Sequence, residues 1–225
     1  MTKTKFIIVP DEDSNDVDIV SNPQDSVYLD QIDNVKITKE TSDEELEKIS
    51  KRLVNFNIKK PRDAEKFLPV PHVRHGFENS CSECSAESVI RYWQTKGYSQ
   101  LNGWNQFSIH RKGYQSFEGN ISEGDLGLFK LFKYLNLKVI QKNNASLNDI
   151  KSWIDKDIPV IVRITTDPSH RNHHTQVAIG YSTTQIFLND NDVYDQKNPQ
   201  YIFQCHKHFL EGFTGRIIVV HPKDI

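Results

Sequence analysis

The stretch of residues 79–93, NSCSECSAESVIRYW, constrains the fold of this chain more than any other. Its apolar residues recur at helical spacing and predict an amphipathic helix whose buried side carries Val89, Ile90 and Trp93. Cys81 lies at the front of that helix, where backbone N–H groups lack intrahelical partners and the helix dipole is positive. A sulfur at this position is favoured as a thiolate, so the stretch predicts a nucleophilic cysteine.

Charge and hydropathy exclude two classes of partner. The 225 residues carry a net charge of -2 at pH 7, with a pI near 6.5, so the chain lacks the basic face that nucleic-acid binding requires. No apolar run reaches the ~20 residues that cross a bilayer, and the N-terminal apolar segment is too short for a secretory signal. We expect a cytoplasmic protein, unless another export route applies, and the oligomeric state stays open.

The first 65 residues differ in character from the rest and predict an N-terminal extension, followed by one compact domain at residues 66–225. An acidic run at residues 11–25 is typical of a loop, whereas short apolar segments on either side of it are typical of strands. Ser42 with Glu45 is a capping-box pattern and predicts one helix directly after it. We expect this extension to pack on the compact domain.

The compact domain changes from helical to strand patterns along the chain. Residues 98–119 are rich in Gly, Asn and aromatic residues and predict a long loop after the central helix, with two more helices beyond it. β-branched runs then predict strands near residues 138–140, 158–164, 175–181, 185–188 and 216–220. Helices followed by short strands predict an α+β fold in which the nucleophile helix packs on a mostly antiparallel β-sheet.

Histidines concentrate at the start of one predicted strand, and an Asn-Asp-Asn-Asp run follows the next. Two adjacent antiparallel strands place His174, at the start of one, near Asn189 or Asp190, at the end of the other. A carboxylate or amide there holds the imidazole in one tautomer, and the other ring nitrogen takes the thiol proton. His173 is the alternative base. Adjacent strand residues face opposite sides of the sheet, so only one of these two histidines can point at the cysteine. This combination is the cysteine-peptidase arrangement.

Four patterns follow one another in a fixed order. They are residues 81–85, CSECS, opening a helix that ends in Tyr92-Trp93; residues 159–162, PVIV; His174 six residues ahead of Gly180-Tyr181; and residues 189–191, NDN. In this order they resemble the papain-like cysteine peptidases of the bacteriocin-processing type, that is, the double-glycine leader peptidases and their stand-alone relatives. The resemblance covers roughly residues 68–220.

The resemblance implies a papain-like fold and a peptide or protein substrate, cleaved at a peptide bond without a cofactor or a metal. It assigns Cys81 as the nucleophile, since choosing Cys84 would shift the Tyr-Trp end of the helix by three residues. It also assigns His174 as the base and Asp190 as the residue that orients it. Processing of a leader or precursor peptide is the implied activity.

Two features of the sequence depart from that family's pattern. Ser82 and Glu83 replace the Gly-Pro pair that follows the nucleophile, so the turn into the helix is made by other means. His75 stands six residues before the cysteine, where the family has a glutamine whose amide donates to the oxyanion. His75 or Asn79 is therefore the candidate oxyanion donor.

Three other hypotheses use the same residues. A non-catalytic peptide-binding module on the same fold is kept open by His75, and a papain-like deamidase or transpeptidase would use the same cysteine and histidine. A zinc site is the third, with soft ligands drawn from Cys81, Cys84, Cys205, His206 and His208. The chain has three cysteines, and this odd number fits a reducing compartment better than a disulfide framework.

Overall fold

The structure, a computed structural model, describes residues 5–10, 17–22, 41–76, 80–116, 125–165, 173–191 and 202–225. The helices are α1 (Asp43–Leu53), α2 (Cys81–Thr95), α3 (Gln106–Ser116), α4 (Asp125–Tyr134), α5 (Leu147–Ile154) and α6 (His206–Gly212). The strands are β1 (Lys5–Pro10), β2 (Val17–Asn22), β3 (Val54–Asn55), β4 (Lys66–Phe67), β5 (His72–Val73), β6 (Lys138–Lys142), β7 (Val160–Thr165), β8 (His173–Tyr181), β9 (Gln185–Asn189), β10 (Ile202–Cys205) and β11 (Phe213–His221).

The main sheet, within the described part of the chain, has seven strands in the order β10-β9-β8-β7-β11-β6, with β4 paired to β8. Each of these pairings is antiparallel. β1 pairs with β2, and β3 with β5, outside this sheet. The predicted α+β class with a mostly antiparallel sheet is confirmed.

Helix α2 packs against β8, at the centre of the sheet. Ala86, Val89 and Ile90 of the helix are fully buried and join one apolar cluster with the inner residues of β7, β8 and β11, such as Val160 and Val177. Burying a side chain the size of Val or Ile contributes about 1.5–3 kcal/mol. The apolar side predicted for the central helix therefore fixes the helix on the sheet, and the position of Cys81 follows from this packing.

A capping box starts helix α1, as the sequence predicts. The Glu45 N–H donates to Ser42 Oγ at 3.2 Å, and the Ser42 N–H donates to Glu45 Oε2 at 3.0 Å. The same reciprocal bonds join Ser146 and Asp149 at the start of α5. Each box satisfies N–H groups that a helix start leaves without intrahelical partners.

The loop predicted at residues 98–119 is wrong over Gln106–Ser116, which form α3. The Ser108 N–H donates to Asn105 Oδ1 at 3.0 Å, and the Asn105 N–H donates to Ser108 Oγ at 2.9 Å. This reciprocal pair caps the helix in the manner of a capping box. The Gly and aromatic content around it concealed the Asn-x-x-Ser signal.

The loop predicted at residues 11–25 is likewise wrong over Val17–Asn22, which form β2 paired with β1. The acidic composition of that run predicted a loop, although the Val-x-Ile alternation within it is typical of a strand. β10 and α6 were not predicted either.

The boundary between an extension at 1–65 and a domain at 66–225 stays a prediction. None of the helices in the described ranges combines the length and the apolar character that crossing a membrane requires.

Candidate active site

Cys81 is the first residue of α2, and its side chain is half-buried. Ser80 occupies the N-cap position but makes no side-chain capping bond. The positive end of the helix dipole therefore lies next to the sulfur without a serine hydroxyl as competing acceptor. This position favours the thiolate, as the sequence predicts for a cysteine at a helix start.

His174 is the second residue of β8 and lies opposite Ile164 of β7. Its Nε2 is 2.6 Å from Oδ1 of Asp190, and its side chain also forms a hydrogen bond with Cys81. Because the carboxylate occupies Nε2, Nδ1 is the ring nitrogen left for the sulfur. The structure thus brings Cys81, His174 and Asp190 into one hydrogen-bonded chain, although they come from three separate elements.

The turn that carries Asp190 is fixed by three buried side chains. The bonds run from His72 Nε2 to the Asp190 carbonyl at 2.8 Å, from Asn189 Nδ2 to the Pro71 carbonyl at 2.9 Å, and from Asn191 Nδ2 to the Val73 carbonyl at 2.8 Å. All three donors are almost completely buried. Bonds shielded from water in this way are costly to break, so the carboxylate stays in place beside the imidazole.

The surroundings of Cys81 stabilise its charged form. Burial alone would raise the pKa of the thiol, but the hydrogen bond to His174, its positive charge and a hydrogen bond with the Thr175 backbone more than offset burial. The pKa of Cys81 is therefore below its usual value. Glu83 acts in the opposite direction as the smallest contribution, since a nearby negative charge disfavours a thiolate.

His174 shows the complementary shift. Burial alone would lower its pKa, but the hydrogen bonds to Asp190 and Cys81, together with their negative charges, raise the pKa to about 10. Both shifts therefore favour an imidazolium at His174 next to a thiolate at Cys81.

The candidate oxyanion donors lie in the segment between β5 and α2. Gln106 holds this segment, because its Nε2 donates to the Arg74 carbonyl at 2.9 Å and its Oε1 accepts from the Gly76 N–H at 2.7 Å. A Cβ on Gly76 would come within 2.5 Å of the Phe107 ring, so only glycine fits this close approach. His75 lies between the two anchored residues, whereas Asn79 lies outside the described residues.

The alternatives that the sequence left open have different surroundings. His173 is exposed, one residue before His174. The Asn189 amide donates to the carbonyls of Val70 and Pro71, so Asp190 is the neighbour of the imidazole. Cys84 is completely buried one turn further along α2.

The zinc hypothesis requires ligands that the structure keeps apart. Cys205 ends β10 and pairs with Gln185, at the opposite end of β9 from Asp190. Among the described residues, no group of three or more His, Cys, Asp or Glu side chains is arranged to hold a metal ion. The structure does not bring Cys81 and Cys84 together with Cys205, His206 and His208 as one ligand set.

Sequence reasoning missed several neighbours of these residues. It assigned no role to His72 or to the Thr175 backbone. No sequence motif indicates either contact, because His72 bonds to the main-chain carbonyl of Asp190 and Thr175 bonds to Cys81 through its own main chain. It also did not anticipate that Glu83 is buried and accepts a bond from His110 Nδ1 at 3.1 Å. The spacing of Gln106 and His110 on one helical side was the available signal.

Residues 65–213, more than half of the chain, match the profile of the Peptidase_C39-like family. The chain belongs to this family. The family confirms the sequence resemblance, and its matched range contains Cys81, His174 and Asp190. A comparison with curated proteins gives no match.

Two solved structures of peptidase domains are similar to this C39-like chain. The peptidase domain of Streptococcus ComA, a bifunctional ABC transporter involved in a quorum-sensing pathway, is 16% identical, with a TM-score of 0.51, and the match covers 70% of this chain and 98% of that domain. A double-glycine motif protease from an AMS/PCAT transporter, solved in complex with the leader peptide, is 16% identical, with a TM-score of 0.48. That match covers 71% of this chain and 96% of the protease. The papain-like fold is confirmed, and family and fold indicate a hydrolase of the cysteine-peptidase type.

Proposed function

We propose that this protein is a cysteine peptidase that cleaves a peptide bond with Cys81 as nucleophile, His174 as base and acid, and Asp190 as the orienting residue. The observation that carries the proposal is the hydrogen-bonded chain from the Cys81 sulfur through His174 to Asp190 at the N-terminus of α2. Family membership supports a peptide or protein substrate, and a leader or precursor peptide is the substrate that we favour.

The reaction follows from the ion pair. The Cys81 thiolate attacks the carbonyl carbon, and the His174 imidazolium then protonates the departing amine, which leaves an acyl-enzyme. The neutral imidazole next removes a proton from water, which hydrolyses the thioester and restores the pair. Asp190 keeps Nδ1 directed at the reacting atoms in both steps by holding Nε2.

The tetrahedral intermediate needs donors for its negative oxygen. The Cys81 backbone N–H at the start of α2 is one such donor, and His75 or Asn79 is the second. One oxyanion donor is worth on the order of 10²–10³ in rate. Replacing the family glutamine by His75 is therefore compatible with a slower enzyme that uses the same mechanism.

Alkylation by iodoacetamide at mildly acidic pH tests the activated thiolate directly. We expect Cys81 to react much faster than Cys205, an exposed cysteine outside the site that serves as internal reference. Replacing His174 by alanine should remove that advantage without changing the reaction at Cys205. Equal, slow alkylation of both cysteines in the unmodified protein would contradict the proposal.

A second test follows cleavage of peptides that contain a Gly-Gly pair, with mass spectrometry of the products. Hydrolysis gives two fragments whose masses together exceed that of the substrate by one water, whereas deamidation or transpeptidation gives different masses. Binding without any product would support the alternative of a peptide-binding module. The presence of His75 at the glutamine position is the observation that favours this alternative.

A further inference from the structure

Cys81 and Cys84 form a Cys-x-x-Cys pair in the first turn of α2, and both are free thiols. Side chains three residues apart on a helix have Cβ atoms about 5–6 Å apart. A disulfide needs about 3.5–4.5 Å between Cβ atoms, so a shift of roughly 1–2 Å would allow the bond. Such a shift is easiest at a helix end, and the Ser80 side chain does not cap this one.

The two thiols differ in the way that a reactive and a resolving cysteine differ. Cys81 is half-buried and its pKa is lowered, so an oxidant in solution reaches a thiolate there. Cys84 has no exposed surface, and burial, together with nearby negative charges that include Cys81, holds its pKa well above the usual value. An oxidant therefore reacts at Cys81 first.

The contacts of Cys84 are weak enough to exchange. Its sulfur lies 3.3 Å from Gln106 Oε1, 3.5 Å from Ser80 Oγ and 3.7 Å from the Arg74 carbonyl. A thiol is a weak donor, so turning the sulfur toward Cys81 gives up little. Cys205 pairs with Gln185, at the end of β9 away from the site, and does not compete for Cys81.

We propose that Cys84 is a resolving thiol that closes a reversible disulfide with oxidised Cys81 and so protects the nucleophile from irreversible oxidation. The proposal rests on the proposed function, because Cys81 is the nucleophile there. It adds a second, oxidised state of the site in which the peptidase is switched off.

The oxidant in this scheme is a hydroperoxide. The Cys81 thiolate attacks its O–O bond, which gives a sulfenic acid at Cys81 and releases hydroxide or alkoxide. Cys84 then attacks the sulfenic sulfur, so the S–S bond forms, the S–O bond breaks, and hydroxide leaves as water with the Cys84 proton. The sulfenic acid is neutral, which removes one of the negative charges that oppose ionisation of Cys84. A dithiol reductant returns two electrons and restores both thiols.

The test uses the full chain with Cys205→Ser as background, treated with hydrogen peroxide, blocked with N-ethylmaleimide and mapped by mass spectrometry. We expect a cross-linked peptide joining Cys81 and Cys84 that has lost two hydrogens, and full return of both thiols with dithiothreitol. In Cys84→Ser, Cys81 should instead proceed to the sulfinic acid, and the thiol recovered with dithiothreitol should fall by roughly tenfold or more.

Accumulation of sulfinic acid at Cys81 at the same rate with and without Cys84 would overturn the proposal, as would the absence of the cross-linked peptide. The cross-link is read in the chain that retains Cys84, so this result stands even if Cys84→Ser does not fold. Peptide cleavage is measured separately under reducing conditions. A cross-link without cleavage would refute the proposed function and leave the redox site standing, whereas cleavage without a cross-link would do the reverse.

Discussion

Helix α2 has two faces with polar residues. Each face contacts an acid–imidazole pair, but the two pairs have different roles. The face toward β8 carries Ser82, whose Oγ is 3.3 Å from Thr175 Oγ1, and Cys81 lies at its open end. The face toward α3 carries Glu83 and Glu87, both completely buried. We refer to these as the β8 face and the α3 face.

Each face has an acid–imidazole pair, fully buried at its acid on the α3 face and partly buried on the β8 face. On the β8 face, His174 lies 2.6 Å from Asp190, and on the α3 face His110 lies 3.1 Å from Glu83. Only His174 also bonds to the half-buried sulfur of Cys81. An acid–imidazole pair is therefore not enough to indicate a reactive site, and the contact with an accessible nucleophile distinguishes the two.

The α3 face also contains a network of hydrogen bonds and ion pairs around Glu87 and Arg91. Glu87 accepts from the Ser50 hydroxyl at 2.5 Å and from the Gln106 N–H at 2.8 Å, and it bonds Arg91 at 2.9 Å. Arg91 in turn bonds Glu47 of α1 at 2.6 Å. These bonds connect α1, α2 and α3, so the α3 face holds three helices together.

The largest expected difference between the faces comes from Cys81→Ala. Loss of the nucleophile should lower peptide cleavage by about 10⁴-fold or more, because a covalent mechanism has no substitute for the sulfur. The melting temperature should stay within error of the unmodified protein. Cys205→Ala is the matched control and should retain full activity, and residual cleavage by Cys81→Ala at even a tenth of the normal rate would exclude Cys81 as the nucleophile.

The counterpart on the α3 face is Glu87→Ala. It removes one partner of a buried charge pair, which typically costs about 3–5 kcal/mol of unfolding free energy. Denaturant titration should show this loss, and Glu87→Gln, which keeps one acceptor oxygen for either Ser50 or the Gln106 N–H, should lose less. A change below about 1 kcal/mol in Glu87→Ala would mean that the network does not hold the three helices together.

Asp190 tests how the β8 face maintains its ion pair. Asp190→Ala should reduce kcat/KM by about 10²-fold, since the imidazole loses its orientation, whereas Asp190→Asn keeps the acceptor and should lose less. The carboxylate helps to raise the pKa of His174 to about 10, so Asp190→Asn should move the alkaline limb of the activity profile to lower pH.

The alkaline limb must move to lower pH if Asp190 acts on His174. A variant whose activity falls uniformly across the pH range, with that limb unmoved, would assign Asp190 to folding instead.

The two faces also differ in how far they were predictable. A cysteine at a helix start, a histidine at a strand start and an acid at the next strand end follow from local patterns and antiparallel pairing, which is why Cys81, His174 and Asp190 were expected to meet. Apart from Arg91 of α2 itself, the partners of Glu83 and Glu87 come from α1 and from α3, a helix in residues whose composition is typical of a loop. Acidic residues are mostly exposed, so nothing local marks these two as buried.

The smallest effect tests whether the faces influence each other. The negative charge of Glu83 raises the pKa of Cys81 as the smallest contribution to its shift, so Glu83→Gln should lower that pKa slightly. Iodoacetamide rates measured against pH should show the Cys81 limb moving to lower pH, with the Cys205 limb unmoved. Because glutamine keeps an oxygen that accepts from His110 Nδ1, stability should fall by only about 1 kcal/mol. A Cys81 limb that moves upward, or not at all, would mean that the charge on the α3 face does not reach the nucleophile.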